Sequence, residues 1–290
     1  DASWSRGLGD VYKRQSLEIY WKKALEQTRL SIDDESLYPL KTDIITSDLY
    51  HKNDFIIRKL DTSKFNKKKI YGPKQNPFYP WEKILEIDKI GDHHQLILNK
   101  YPVQKGHILL ITNNWKPQNG WLDINDWKAI QHVNKDTSGL WFFNSSPIAG
   151  ASQPHRHFQL LRRSKDEISC PREKWFLEME LSKDSDCKLK KNIIVSKFNF
   201  LENSISLFEL YLELCKKLGL GDPINNIQPK YPYNLLITNK WIAVIKRKYD
   251  HIHGFSINGL GFAGYLLVTE KSNINYLRKF GPEKLLESFV

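Results

Sequence analysis

Gly150-Ala151-Ser152-Gln153-Pro154-His155-Arg156-His157-Phe158-Gln159-Leu160-Leu161 is the stretch on which this chain turns. Read as a strand after Pro154, it alternates its side chains between two faces. His155, His157 and Gln159 then share one face, and Arg156, Phe158 and Leu160 share the other. Proline is tolerated at the start of a strand, where its missing N–H need not join the ladder. The preceding Gly150, Ala151, Ser152 and Gln153 are small or polar, and such a turn can aim backbone N–H groups and a hydroxyl at an anion.

A neutral imidazole is available as a nucleophile near pH 7. It attacks phosphorus well because the phosphoramidate it forms is itself reactive, which splits one displacement into two easier ones. Gln159, on the same face, can donate to a phosphate oxygen but cannot move a proton. A site built this way stabilises charge and relies on a good leaving group such as a polyphosphate. A bare His-x-His is more often a pair of satisfied core histidines. The second such pair, His251 and His253, sits beside Lys246, Arg247, Lys248 and Asp250 and reads as surface. A zinc site from both pairs would lack a cysteine or carboxylate to complete it, so no metal site is expected.

Outward from this stretch, the chain has 290 residues, 40% hydrophobic and 12% aromatic, which excludes a disordered chain. No run approaches the roughly 18 apolar residues of a membrane span. Cys170, Cys187 and Cys215 are too few and scattered for a disulfide framework, pointing to a reducing, cytoplasmic setting. The net charge of +11 favours an anionic partner: nucleic acid, a membrane surface or a small phosphorylated substrate. A Lys-rich solvated surface would give the same number. Residues 1–15, DASWSRGLGDVYKRQ, show neither period 2 nor period 3.6, no initiator Met and no apolar signal core. They are read as foreign to the fold, and 16–290 as one domain; without them the charge changes by one unit.

Leu17–Leu30 is expected to be a helix burying Leu17, Trp21, Ala24, Leu25 and Thr28. Thr62–Pro80, rich in Lys, Asn, Pro and Gly, reads as a long loop. Strands are expected at Gln95–Leu98, His107–Thr112 and Leu140–Phe143, with a helix at Asp123–Lys135 that Gly139 would end. A part to about 165 carries the histidine strand, and a second, about 190–280, follows. There Asn192–Phe200 reads as strand and Ser204–Leu218 as a helix capped by Gly219. Tyr233–Thr238 and Trp241–Ile245 read as a hairpin, and Phe262–Thr269 as a strand or helix start. Without strict βαβ alternation, the pattern gives α+β with an antiparallel sheet and flanking helices.

Phe142-Phe143-Asn144-Ser145-Ser146-Pro147-Ile148-Ala149 leading into GASQPHRHFQ resembles the nucleotidyltransferase branch of the histidine-triad superfamily. Within it the chain looks like the diadenosine tetraphosphate phosphorylase (ATP adenylyltransferase) family. Leu98-Asn99-Lys100-Tyr101-Pro102-Val103, running on to His107, resembles that family's "LNKFPV…HLL"; Tyr233–Trp241 resembles its "YNLLLT…W" and Asn258–Gly264 its "N.LGFAG". The likeness spans about 21–280. It implies a histidine-triad/uridylyltransferase-like fold. It also implies that His157 attacks the α-phosphorus of diadenosine tetraphosphate, releasing ATP and leaving an adenylyl-histidine. Inorganic phosphate would then take the adenylyl group and leave as ADP.

By the same resemblance, His155 orients the strand and leaving phosphates, while Gly150–Gln153 and Gln159 hold phosphates. Asn144, Asn99, Lys100, Asn234, Thr238, Asn239, Lys240 and, less directly, Lys64 match nucleotide contacts. The covalent step would need no cofactor, though magnesium can accompany the polyphosphate. Lys246 stands where the family usually has proline, and Arg162-Arg163 are extra basic residues. Two other readings stand beside this one. A hexose-1-phosphate uridylyltransferase-like enzyme shares the His-x-His-x-Gln chemistry. A basic nucleic-acid-binding protein would explain the charge, but no such motif is present and no nucleic-acid partner is expected.

Overall fold

The strands expected around the histidine stretch all form, and they join one antiparallel sheet. The computed structural model describes residues 17–50, 54–61, 77–163, 167, 169–181, 188–198 and 203–290. Lys64, Cys187, segment 1–15 and most of the loop expected at Thr62–Pro80 lie outside the described residues. In chain order the elements are α1 (Ile19–Asp33), β1 (Thr42–Ile44), α2 (Thr46–Leu49), β2 (Ile56–Leu60), β3 (Glu86–Ile90), β4 (His94–Leu98), β5 (Ile108–Thr112), α3 (Ile124–Asp136), β6 (Leu140–Asn144) and β7 (His157–Leu161). There follow α4 (Glu173–Leu181), α5 (Lys188–Asn192), β8 (Ile193–Lys197), α6 (Ser204–Lys217), β9 (Tyr233–Ile237), β10 (Trp241–Lys246), β11 (His251–Ile252), β12 (Phe255–Ser256), α7 (Gly259–Phe262), β13 (Tyr265–Val268) and α8 (Ile274–Ser288).

The main sheet has eight strands in the order β3-β4-β5-β7-β6-β9-β10-β8. Its centre draws on both halves of the chain, since β6 pairs with β9, Asn144 opposite Asn234. One face is largely apolar, interrupted by the buried His94–Asp126–Arg156 group. Leu110, Phe158, Leu160, Trp141, Phe143, Leu235 and Val244 pack there against Ala24 of α1, Trp127, Ile130 and Val133 of α3, and Leu207, Tyr211 and Leu214 of α6. Burying such side chains is worth roughly 1.5–3 kcal/mol each, and this layer fixes the register.

The other face carries two separate covers. Over β6, β9, β10 and β8, Phe142, Leu236, Ala243 and Ile245 meet Phe176 of α4, Leu260 and Phe262 of α7, Leu266 of β13 and Leu285 of α8. Over β4 and β5, Ile97, Leu109 and Ile111 meet Phe78 and Trp81 among the described residues. The register places Ile111 opposite His157, and Leu109 and Phe142 on either side of Gln159. The histidine face of β7 therefore lies in the seam between the covers.

Several expectations shift. Strand β7 begins at His157, because Arg156 instead pairs through its N–H with the carbonyl of Lys116, and His155 forms an isolated bridge to Pro117. Helix α1 buries Ala24, Thr28 and Ser31 while Leu17 and Leu25 are exposed, because Thr28 and Ser31 hydrogen-bond the Ala24 and Ile84 carbonyls and so can face inward. Gly139 does not cap α3, which ends at Asp136 with Thr137 as its C-cap. A Cβ there would lie 2.4 Å from the Leu161 carbonyl oxygen, so close strand approach is what requires glycine. Phe262–Thr269 divides between the end of α7 and β13. Gly219 does sit past α6 with φ +78°, as a C-terminal cap requires. Among the described residues no helix is long and apolar enough to cross a membrane.

Candidate active site

His157 is held by its backbone and by one ring nitrogen. Its N–H donates to Gln118 Oε1 (2.8 Å), and its carbonyl accepts from Gln118 Nε2 (3.2 Å), which also donates to the Asn144 carbonyl (2.8 Å). The buried Gln118 amide thus takes over ladder bonds where β6 and β7 part. The His157 Nδ1 lies 2.8 Å from the His155 carbonyl oxygen. A carbonyl only accepts, so the proton is on Nδ1 and the Nε2 lone pair is open. Burial pushes the pKa of His157 down to about 4, leaving the ring neutral at pH 7.

His155 is oriented the opposite way. Its Nε2 donates to the Thr112 carbonyl (2.8 Å), with Thr112 Oγ1 at 3.0 Å, while its buried Nδ1 has no partner among the described residues. Burial lowers its pKa as well. The Phe78 ring stands edge-on to both imidazoles, at 5.6 and 5.3 Å. Next along this face is a third buried histidine, His107, whose Nδ1 accepts from Asn99 Nδ2 at 3.3 Å. The sequence motif contains His107, but nothing in its spacing sets it apart from a strand-edge residue.

On the far side of the same segment, Arg156 is fixed. Its guanidinium donates to Asp126 Oδ2 (2.9 Å) and to the Pro117 carbonyl, and Asp126 Oδ1 meets His94 Nε2 at 2.9 Å. All three side chains are buried. Burial pushes the Asp126 carboxyl up, but the His94 hydrogen bond and the Arg156 charge outweigh it and hold the pKa below the usual carboxylate value. Asp126 also accepts from the Asp123 N–H, closing a capping box at the start of α3.

The expected phosphate turn is only partly open. The Ser146 carbonyl accepts from the N–H groups of Ala149 and Ala151, and Gly150 N–H donates to the Pro147 carbonyl. The Gly150 and Ala151 amides are therefore turned inward. Ser152 is exposed and Gln153 half-buried. Gly150 has φ +89°, and a Cβ there would lie 2.5 Å from Asn258 Cβ, so this turn docks on the N-terminus of α7.

Asn144 Oδ1 accepts from the Gly259 N–H (2.9 Å) and Asn234 Nδ2 (2.8 Å), leaving its buried Nδ2 without a partner among the described residues. Asn234 is fully engaged, since its Oδ1 accepts from Arg247 (2.7 Å) and its Nδ2 also donates to the Ala149 carbonyl. Arg247, between the Phe262 and Phe289 rings, has its pKa pushed down to about 9 by burial. It braces the turn from behind.

Asn99 joins the site through His107, whereas Lys100 pairs with Glu82 and lies over the Tyr38 ring. Thr238, Asn239 and Lys240 form the β9–β10 turn, at the other end of β9 from Asn234. Thr238 Oγ1 accepts from the Lys240 N–H, Asn239 accepts from Asn134, and Lys240 pairs with Glu173. The structure thus gathers His155, His157, Gln159, Asn144 and the Gly150 turn, and leaves that hairpin outside.

A cavity of about 280 Å3 opens beside Gly150 and Leu161. Its walls include the apolar Val103, Ile257 and Leu260, and it is lined by Arg58 and Arg163. The Arg163 guanidinium lies over the Tyr265 ring at 4.9 Å, and Arg58 donates to Thr42. An apolar slot with two cations suits a flat base with phosphates attached. The extra Arg162-Arg163 pair in the sequence hints at half of this; Arg58 comes from a distant strand. Arg162 itself is taken by Glu18. Among the described residues no group of three His, Cys, Asp or Glu side chains is placed to hold a metal ion.

Comparison with known proteins identifies the family and the fold. Residues 12–176 match the model of the Ap4A phosphorylase N-terminal domain, and residues 188–290 that of the ATP adenylyltransferase C-terminal domain. Diadenosine 5',5'''-P1,P4-tetraphosphate phosphorylase 2 of Saccharomyces cerevisiae is 26% identical over 250 residues, 76% of this chain and 75% of that one. The crystal structure of yeast Ap4A phosphorylase Apa2 in complex with AMP superposes with a TM-score of 0.69 at 20% identity, covering 93% of this chain and 95% of that chain. The same enzyme in complex with Ap4A gives 0.66 at 20% identity, over 92% and 94%. With both family models matched in order across nearly its whole length, the chain belongs to the Ap4A phosphorylase (ATP adenylyltransferase) family and is a nucleotidyltransferase.

Proposed function

We propose that the protein cleaves diadenosine tetraphosphate by phosphorolysis, giving ATP and ADP, through an adenylyl group carried on His157. The observation that carries this reading is the His157 ring itself: neutral, protonated on Nδ1 against the His155 carbonyl, and open at Nε2. Nε2 attacks the α-phosphorus of one adenosine. The P–N bond forms, the bond to the bridging oxygen breaks, and ATP leaves with that oxygen. No proton need move, because the ring keeps Nδ1–H and becomes cationic. The His155 carbonyl dipole stabilises that charge where it develops. An oxygen of inorganic phosphate then attacks the same phosphorus, the P–N bond breaks, and ADP departs as His157 returns to its neutral state. Gln159 and the Nδ2 of Asn144, which has no partner among the described residues, supply donors to the phosphate oxygens, and the Arg58/Arg163 cavity takes an adenosine end.

Magnesium enters this reading only as a counter-ion of the polyphosphate. The setting is a reducing one, the cytoplasm, consistent with Cys170 and Cys215 being buried free thiols. The test is to supply diadenosine tetraphosphate with and without phosphate and to identify products by chromatography. ADP and continued turnover should appear only with phosphate; without it, the protein should release a single equivalent of ATP and carry AMP on His157. Equal product formation without phosphate would make the protein a hydrolase. Activity restricted to uridylyl donors would make it a uridylyltransferase.

A further inference from the structure

His107 is buried beside the reactive face, and the phosphorolysis above gives it no step. Its protonation can be read from its neighbours. The Tyr101 N–H donates to Asn99 Oδ1 (3.0 Å), which settles which way the Asn99 amide points. Asn99 Nδ2 therefore faces His107 Nδ1 at 3.3 Å, and the Val103 N–H approaches the same nitrogen at 3.5 Å. With donors converging on it, Nδ1 is an acceptor and carries no proton. Burial holds the His107 pKa down to about 3, so the ring is neutral and its single proton is on Nε2. That nitrogen is buried and closes no hydrogen bond among the described residues, while Gln159, opposite Leu109 and so diagonal to His107 on the same face, is the polar side chain that acts on the His107 ring against burial.

We propose that His107 is a positioning residue for the transfer reaction: its Nε2–H engages Gln159 Oε1 and so turns the Gln159 NH2 toward the phosphate. The proposal rests on the phosphorolysis reading. A glutamine amide can present either end to its surroundings, and only the nitrogen end is useful beside an anion. A neutral donor at Oε1 removes the unproductive orientation before substrate arrives. The relay runs Tyr101 N–H, Asn99, His107, Gln159, and its members lie between positions 99 and 107 except for the last.

Two measurements test it. In histidine-labelled wild-type protein, two-bond nitrogen–proton correlation spectra report the tautomer at neutral pH, with the His107 signals assigned by their loss in His107→Gln. A proton on Nε2 alone supports the relay, and a proton on Nδ1 overturns it. In single-turnover formation of the AMP adduct, Gln159→Ala should slow the step roughly 100-fold and His107→Leu at least about tenfold. The double variant should be no slower than Gln159→Ala, and His107→Gln, which retains an N–H donor, should recover most of the loss. Losses that multiply would mean His107 acts independently of Gln159 and would overturn the relay. Wild-type protein that forms no adduct on His157 would defeat the phosphorolysis reading instead, while the tautomer result stands on its own.

Discussion

The two sides of residues 155–159 are built to opposite specifications. Toward the helices, Arg156 is locked to Asp126, and Asp126 to His94, with Phe158 closed into the apolar layer behind. Toward the seam, His155 Nδ1, His107 Nε2 and Asn144 Nδ2 are buried polar atoms without partners among the described residues. Unpaired buried groups are costly, about 1–3 kcal/mol each, and a native protein keeps them where something else will satisfy them. The helix side has orphans of its own among the described residues, Arg156 Nε and Trp127 Nε1, but its buried ion pairs supply the rigidity that lets the seam side stay open, which is how a site with few charges of its own holds its geometry.

The contrast is most sharply broken on the open side. His157→Ala should reduce phosphorolysis by at least ~10³-fold with the fold retained, measured as ATP and ADP release alongside a thermal melt. The wild-type pH profile sharpens the same point. Because burial lowers the His157 pKa to about 4, adduct formation from diadenosine tetraphosphate, which has no terminal phosphate to titrate, should show no fall near pH 6.5. The sign for stability is the reverse of a salt-bridged histidine. The unfolded chain takes up protons below about 6.5 while the folded ring does not, so stability declines as pH falls from there toward about 4.

On the locked side the effect is on the fold. Asp126→Asn leaves Arg156 with only the more distant, partly exposed Asp123 carboxylate at 3.7 Å and should cost up to about 3–5 kcal/mol in denaturant unfolding. In the wild type, the depressed Asp126 pKa means its contribution is present above the ordinary value of 3.8 and is lost as pH falls through the folded value; the variant should lack that acid limb. Gln118→Leu removes the bonds at the junction of both sides and should cost about 1–3 kcal/mol, with a further loss of kcat because the His157 backbone is freed. Lys240→Ala breaks only an exposed pair with Glu173 and should change stability by less than about 1 kcal/mol. An unchanged KM in that variant would agree with its place at the far hairpin; a large rise would put the substrate there after all.

The pattern of Phe142–Asn144 and Pro154–Leu161 makes the two central strands and the histidine face legible, because a short apolar run bounded by turn residues reads as a strand buried on both sides and its side chains still alternate between faces. The β9–β10 hairpin is equally plain from the apolar runs around Asn239-Lys240. Other features are not local. Gln118 is an unremarkable loop glutamine until Asn144 and His157 are brought against it. Arg247, next to a lysine where a family proline is usual, looks like a surface charge, yet it is buried against Asn234. Thr238 and Lys240 match a motif, but their side chains are used within and beside their own turn.

What the sequence by itself determined is the chemistry: an imidazole pair and a glutamine on one face of a strand, preceded by a tight glycine turn, since those follow from residue type and the period of the strand. What only the tertiary structure decided is which nitrogen reacts and which groups remain free. A histidine's tautomer, a glutamine's orientation and an arginine's burial are set by partners far along the chain, the carbonyls and amides that folding brings within 3 Å.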